Sequence, residues 1–145
     1  TFAKFAFFNK KIDVHGGNQW RPNICVEDVA DGIIAVIKTP TLKIKNKIFN
    51  LSSENLNYRI FDIAKLVKKK FKSVRLNVSK SKLDPRNYRV SSKKFSDTTN
   101  FKPKKTIEYA YNLYLKKFKS KKIKNPNLKK YSNIETIKLF SDQNV

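Results

Sequence analysis

Hydrophobic positions along the chain switch between helical and strand spacing. Phe2, Phe5, Ala6 and Phe8 share one stripe, so residues 2–9 read as the tail of a helix. Ile12 to His15 reads as a short strand, closed by Gly16 and Gly17, a pair that permits a tight turn. Asn23 to Val26 reads as another short strand. Glu27 and Asp28 then open a helix, where negative charge suits the N-terminal dipole. Its apolar stripe is Val29, Ala30, Ile33, Ile34, Val36 and Ile37, and Pro40 ends it.

Ile48-Phe-Asn-Leu51 is nearly continuous and apolar, which predicts a strand buried on both faces of a parallel sheet. A loop from Ser52 to Asn57 leads into a helix with Ile60, Ile63, Ala64, Val67 and Phe71 inward. Val74, Leu76 and Val78 alternate as an edge strand. A polar loop around Pro85 follows, then a short helix from Ser92 to Asp97. Thr106 starts a last strong helix with Ile107, Ala110, Tyr111, Tyr114, Leu115 and Phe118 at helical spacing. Lys119 to Lys130 is too charged to pack well, and Tyr131 to Phe140 reads as a terminal helix. Alternating strands and helices place the chain in the α/β class.

Composition changes this picture little. Hydrophobic residues make up 39% and aromatics 12%, enough for a core in 145 residues. No apolar run approaches a membrane span, which argues against a membrane partner. The opening residues lack a secretory cleavage pattern, and the lone Cys25 excludes an internal disulfide and fits a reducing compartment, so a cytoplasmic location is expected. The first residue is Thr, so the chain reads as a piece of something longer or as a processed product.

The formal charge of +22 would ordinarily suggest nucleic acid. The cations are twenty-eight lysines scattered through every segment and only five arginines, Arg21, Arg59, Arg75, Arg86 and Arg89. Solvated lysine on helix exteriors is the simpler reading. A basic nucleic-acid-binding module stays as an alternative, with a lysine stripe on one surface as its signature.

Two clusters could carry chemistry. Gly16-Gly-Asn-Gln-Trp-Arg-Pro-Asn-Ile-Cys-Val-Glu-Asp-Val-Ala30 sets Arg21 beside a turn, and Asp84-Pro-Arg-Asn-Tyr-Arg-Val-Ser-Ser-Lys93 offers a second arginine, Arg86. A planar, permanently charged guanidinium can bind two oxygens of a phosphate at once. The bland alternative for Arg21 is a surface ion pair with Glu27 or Asp28. Arg89 reads as a solubility residue, Trp20 as packing over a loop, and Cys25 as a small buried hydrophobe. Tyr109, Tyr111 and Tyr114 read as helix packing. His15 is the only histidine, which leaves no histidine cluster for a metal.

The first cluster resembles the Gly-x-x-Gln-x-Arg-[Asp/Pro]-x-x-x-Val-x-Asp-x-Ala signature of the NAD-dependent epimerase/dehydratase family, extended short-chain dehydrogenases/reductases that act on nucleotide sugars. Ile48-Phe-Asn-Leu51 resembles its buried strand ending in Asn. The second cluster, followed by Asn100-Phe-Lys-Pro103 and Thr106-Ile-Glu108, resembles its closing run, Arg-x-Tyr-x-x-x-x-x-Lys, then Gly-Phe-x-Pro and Thr-x-Glu. The match covers most of residues 1–118.

The resemblance implies the C-terminal substrate-binding part of a Rossmann-type enzyme, over residues 1–118, with a basic tail at 119–145. Arg21 and Arg86 would then close on the diphosphate of a nucleotide-diphosphate sugar. The backbone at Val14 and His15 would lie beside the base, Gln19 would add polar contacts, Asn50 would make a structural or ligand-side contact, and Tyr88 would pack on the nucleoside. In the intact enzyme, an isomerase, dehydratase or reductase and a candidate homodimer, NAD or NADP would transiently oxidise the sugar.

The family holds that cofactor on a glycine-rich strand-to-helix turn in an N-terminal half. This chain has three glycines and no such turn, and none of its six tyrosines has the family's catalytic lysine four positions on. No catalytic residue is therefore expected here. A fragment of a live enzyme and an inactive truncated remnant both remain readings.

Overall fold

The computed structural model describes residues 2–79 and 84–141. The first half runs α1 (Phe2–Asn9), β1 (Lys11–His15), β2 (Trp20–Pro22), α2 (Val26–Lys38) and α3 (Thr41–Ile44). A 3-10 turn (Glu54–Leu56) then precedes β3 (Asn57–Arg59), α4 (Ile60–Lys70) and β4 (Arg75–Ser79). The second half holds α5 (Lys93–Thr99), α6 (Ile107–Lys119), a 3-10 turn (Lys129–Tyr131) and α7 (Asn133–Ser141).

Two small sheets organise the described residues. β1 and β4 pair in parallel, with Ile12 opposite Leu76 and Val14 opposite Val78. β2 and β3 form an antiparallel ribbon in which Trp20 faces Arg59 and Arg21 faces Tyr58. The strict alternation of β1 turns Ile12 and Val14 inward, where both are fully buried, and leaves Lys11, Asp13 and His15 exposed. Burial of each such aliphatic side chain contributes about 1.5–3 kcal/mol.

The core gathers Ala6, Ile12, Val14, Ala64, Val67 and Val74, with Phe2, Ile60, Phe71, Leu76 and Tyr111 packed against it. Small residues at Ala3 and Ala6 let α1 lie close to the sheet. α6 starts as its sequence dictates. The Thr106 side chain caps the helix by accepting the Tyr109 N–H at 3.2 Å, Glu108 sits in the first turn, and lysines fill the last. Its far end is pinned by Phe118, whose ring lies 5.3 Å from Phe7 and 5.1 Å from Phe8.

Several expectations need correction. The strand expected at Asn23 to Val26 lies three residues earlier. Asn23 instead closes the ribbon, donating from its side chain to the Arg21 and Leu56 carbonyls, and Val26 already belongs to α2. The apolar stripe of α2 faces outward, with Ile33, Ile34 and Ile37 all exposed. The buried ridge is Asp28 and Gly32, one turn apart. Gly32 admits Leu51 so closely that a Cβ there would stand 2.6 Å from a Leu51 methyl.

Ile48 to Leu51 forms no strand. With no described strand alongside, only Phe49 and Leu51 turn inward, Phe49 edge-on to Phe95 and Leu51 against Gly32, while Ile48 and Asn50 are exposed. The terminal helix begins two residues later than expected, at Asn133. No helix among the described residues is long and apolar enough to cross a membrane.

Candidate functional site

The turn after β1 builds the site. Gly16 and Gly17 both hold positive φ, +72° and +101°, which side-chain-bearing residues avoid. Gln19 folds back over them: its Oε1 accepts the Gly17 N–H at 2.7 Å and its Nε2 donates to the His15 carbonyl at 2.8 Å. The carbonyls of Gly17 and Gln19 in turn accept the first free amides of α4, from Phe61 at 2.9 Å and Ile60 at 3.1 Å. The turn is thereby locked to both the sheet and the helix, and it launches β2 with Arg21 in a fixed place.

The segment from Asp84 to Ser91 lies across β2. The Trp20 amide donates to Asn87 Oδ1 at 2.9 Å. The Asn57 side chain pairs with both backbone groups of Val90, at 3.0 Å and 2.9 Å. Arg21 ties the same segment down from inside, donating to its own neighbour's carbonyl at Trp20 (2.7 Å) and to the Arg86 carbonyl.

Arg21 and Arg86, sixty-five positions apart, meet at one carboxylate. Asp84 Oδ2 lies 2.7 Å from an amino nitrogen of each, and Asp84 Oδ1 accepts the Arg86 Nε and backbone N–H at 2.9 Å and 3.1 Å. The Arg86 hydrogen bonds, then those of Arg21, hold the Asp84 carboxyl well below the usual carboxylate range. The same contact raises the Arg86 guanidinium. The Arg21 side chain is 15% exposed and that of Arg86 72%, so one arginine is structural in depth and the other reaches solvent. The ion pair considered for Arg21 with Glu27 or Asp28 does not form; its partner is Asp84.

The remaining candidates fall as follows. Tyr88 is 48% exposed, with its ring 5.5 Å from the Arg21 guanidinium carbon. His15 ends β1, exposed, and Val14 is buried in it. Gln19 has both ends of its amide engaged in the turn. Asn50 is exposed on the stretch that packs on α5, whose Lys94 ammonium bonds the Ile48 carbonyl at 3.0 Å.

Cys25 is half-buried, caps no bond with its side chain, and borders a 390 Å³ apolar cavity with Phe2, Ile63, Ile107 and Tyr111. Among the described residues no group of three or more His, Cys, Asp and Glu is placed to hold a metal.

Some of the site was not foreseen. Asp84 as the shared acceptor had a legible signal, an acid two residues before Arg86 across a proline turn. Arg59 carries no local signal and Arg89 reads as a solubility residue, yet each guanidinium sits over the Trp20 indole, at 5.2 Å and 5.1 Å from its centre. The Arg59 contact follows from strand register, which no local pattern encodes. Tyr109 and Tyr114 are not core residues. Tyr109 donates to Glu27 at 2.7 Å, and Tyr114 stacks on Phe118 while half exposed.

The N-terminus of α4 is closed by the glycine turn, and α2, α4, α6 and α7 each carry an acid in the first turn.

No family model and no curated protein matches the sequence. Solved structures do match the fold. They include UDP-glucose 4-epimerase of Thermotoga maritima with UDP-glucose (20% identity, TM-score 0.69, 83% of this chain and 38% of that one). A second is TunA, an NAD-dependent NDP-hexosamine 5,6-dehydratase of tunicamycin biosynthesis (16%, 0.68, 82% and 39%). A third is L-threonine dehydrogenase of Phytophthora infestans (12%, 0.70, 83% and 40%). The chain spans about two fifths of the length of each. It therefore has the α/β fold of part of an NAD-dependent nucleotide-sugar epimerase or dehydratase, a fold shared with L-threonine dehydrogenase.

Proposed function

We propose that this chain is the C-terminal, substrate-holding part of an NAD-dependent enzyme that modifies nucleotide sugars. Residues 1–118 are the substrate-binding portion and 119–145 a basic tail. The observation that carries the reading is the convergence of Arg21 and Arg86 on the Asp84 carboxylate. A fork that grips one carboxylate has the charge and donor geometry to grip a diphosphate, which offers more oxygens and more negative charge.

The likeness in fold supports the choice of ligand, since one matching structure contains UDP-glucose. On this reading Tyr88, beside Arg21, would flank the nucleoside, and the backbone at Val14 and His15, with Gln19, would lie beside the base. This part of the protein contributes positioning and specificity. The NAD(P), which supplies hydride chemistry, is held elsewhere in the intact enzyme.

The experiment is a titration of the chain with UDP and UDP-glucose by NMR or calorimetry. Arg21→Ala and Arg86→Ala are each expected to weaken binding by about tenfold or more, as for hydrogen bonds to a charged group. Asp84→Asn, which removes the competing carboxylate, is expected to tighten it. Equal affinities in all four proteins would overturn the assignment.

A further inference from the structure

Trp20 and its neighbours form a second cationic centre. Four of the five arginines lie in the β2–β3 ribbon and the segment that crosses it, although lysine outnumbers arginine more than fivefold along the chain. They come from three separate segments. β2 carries Trp20 and Arg21, β3 brings Arg59 opposite Trp20, and the crossing segment brings Arg86 and Arg89.

The two pairs differ in their partners. Arg21 and Arg86 share Asp84. Arg59 and Arg89 form no ion pair with a carboxylate among the described residues. Each is instead oriented by the face of the indole, an attraction that holds a guanidinium in place without neutralising it. The nearby acid, Glu54, is engaged by the Ser91 hydroxyl at 2.8 Å.

The platform under these groups is rigid. Asn57 is bonded to both backbone groups of Val90, and Asn87 to the Trp20 amide. Beside it opens a 420 Å³ cleft lined by Trp20, Glu54, Asn57, Arg89, Val90 and Ser91. Arg89 lines this cleft and Arg59 lies over the same indole; two guanidiniums oriented without a carboxylate partner have the donor set for an oxyanion.

We infer that Arg59 and Arg89, held on Trp20, form an oxyanion subsite separate from the Arg21–Arg86 fork. Its ligand is a phosphate or carboxylate group. That group belongs either to the nucleoside end of a nucleotide, as a ribose phosphate, or to the sugar end, as an acidic sugar. The inference stands on the geometry around Trp20 and does not require a diphosphate at Arg21 and Arg86.

Trp20 is the only tryptophan, so its fluorescence reports on this subsite directly. Titration with inorganic pyrophosphate is expected to change Trp20 emission saturably. The response should weaken at least fivefold in Arg59→Gln/Arg89→Gln. The lysine pair, Arg59→Lys/Arg89→Lys, keeps charge but loses the planar fork and should bind weakly as well. A charge-matched control, Lys116→Gln/Lys117→Gln on α6, should behave as the parent.

Comparing UDP-glucuronate with UDP-glucose, and adenosine 3′,5′-bisphosphate with AMP, then identifies the source. A preference for the extra anion of about fivefold or more that disappears in the glutamine pair is expected in one of the two comparisons. A pyrophosphate response unchanged in the glutamine pair, or reproduced by the α6 control, overturns the subsite even if UDP binds. Loss of UDP binding alone overturns only the diphosphate reading.

Discussion

Asp28 is the perturbation that tests the packing logic most directly. It is 1% exposed on α2, accepts the Lys105 backbone N–H at 2.8 Å, and lies 3.4 Å from the Lys105 ammonium. Removing the carboxylate in Asp28→Ala strands that backbone donor, at a cost of about 1–3 kcal/mol. It also leaves a small void. The full penalty of breaking a buried ion pair, about 3–5 kcal/mol, is not reached, because the Lys105 ammonium keeps Asp31 at 3.2 Å and Glu27 at 3.9 Å.

The expected loss for Asp28→Ala is therefore about 2–4 kcal/mol. Asp28→Asn retains an oxygen for the N–H and should lose about half as much. Asp31→Ala, at an exposed position, should lose less than about 0.5 kcal/mol. Urea unfolding at pH 7, followed by far-UV circular dichroism and Trp20 emission with the denaturant slope checked, measures all three. If Asp28→Asn were as damaging as Asp28→Ala, charge and not the backbone acceptor would hold α2 to the start of α6. A loss under about 0.5 kcal/mol for Asp28→Ala would refute the bracket altogether.

Three other outcomes are expected. Gly17→Ala should cost about 2–4 kcal/mol in the same assay, because φ is +101° and the new Cβ would stand 3.0 Å from Phe61 Cβ and 3.2 Å from a Val14 methyl. Burial, then Glu108, raises the Tyr111 phenol above its ordinary value of 10.0. Its neutral form thus supports the fold fully below pH 10 and loses that support as pH rises toward the folded pKa; Tyr111→Phe should flatten the alkaline stability profile, and an unchanged profile would contradict this. Replacing exposed Ile33 and Ile37 together by Glu should change stability by less than about 0.5 kcal/mol while lowering self-association in sedimentation.

What the chain revealed in advance depended on how local the signal was. α1, α4, α5 and α6 were legible, because apolar spacing and, at Thr106, a side-chain cap lie within a few residues of one another. β1 was legible from its alternation and closing glycines. β2 lies three residues before the strand expected at Asn23 to Val26, and β3 falls where a loop and helix start were expected, because the ribbon's pairing joins residues nearly forty positions apart. Asn23, read as strand, satisfies the ribbon's end with its side chain.

The α2 stripe correctly predicted a helix and misjudged which face is covered. Periodicity reports two faces, and only the Asp28 contact with Lys105 and the notch at Gly32 decide between them. Arg21 and Arg86 were found as types suited to phosphate. Their shared acceptor, and the arginine pair on Trp20, depend on a crossing of segments that no window of sequence contains.

Arg21 holds the Trp20 carbonyl, the Arg86 carbonyl and the Asp84 carboxylate from one terminus. An ammonium on a flexible stem could carry the charge but not span three such oxygens in a plane. In a protein whose cations are otherwise overwhelmingly lysine, exchange of this residue for lysine would be a mechanical lesion more than an electrical one. The crossing strap would come loose from its rivet while the net charge stayed the same.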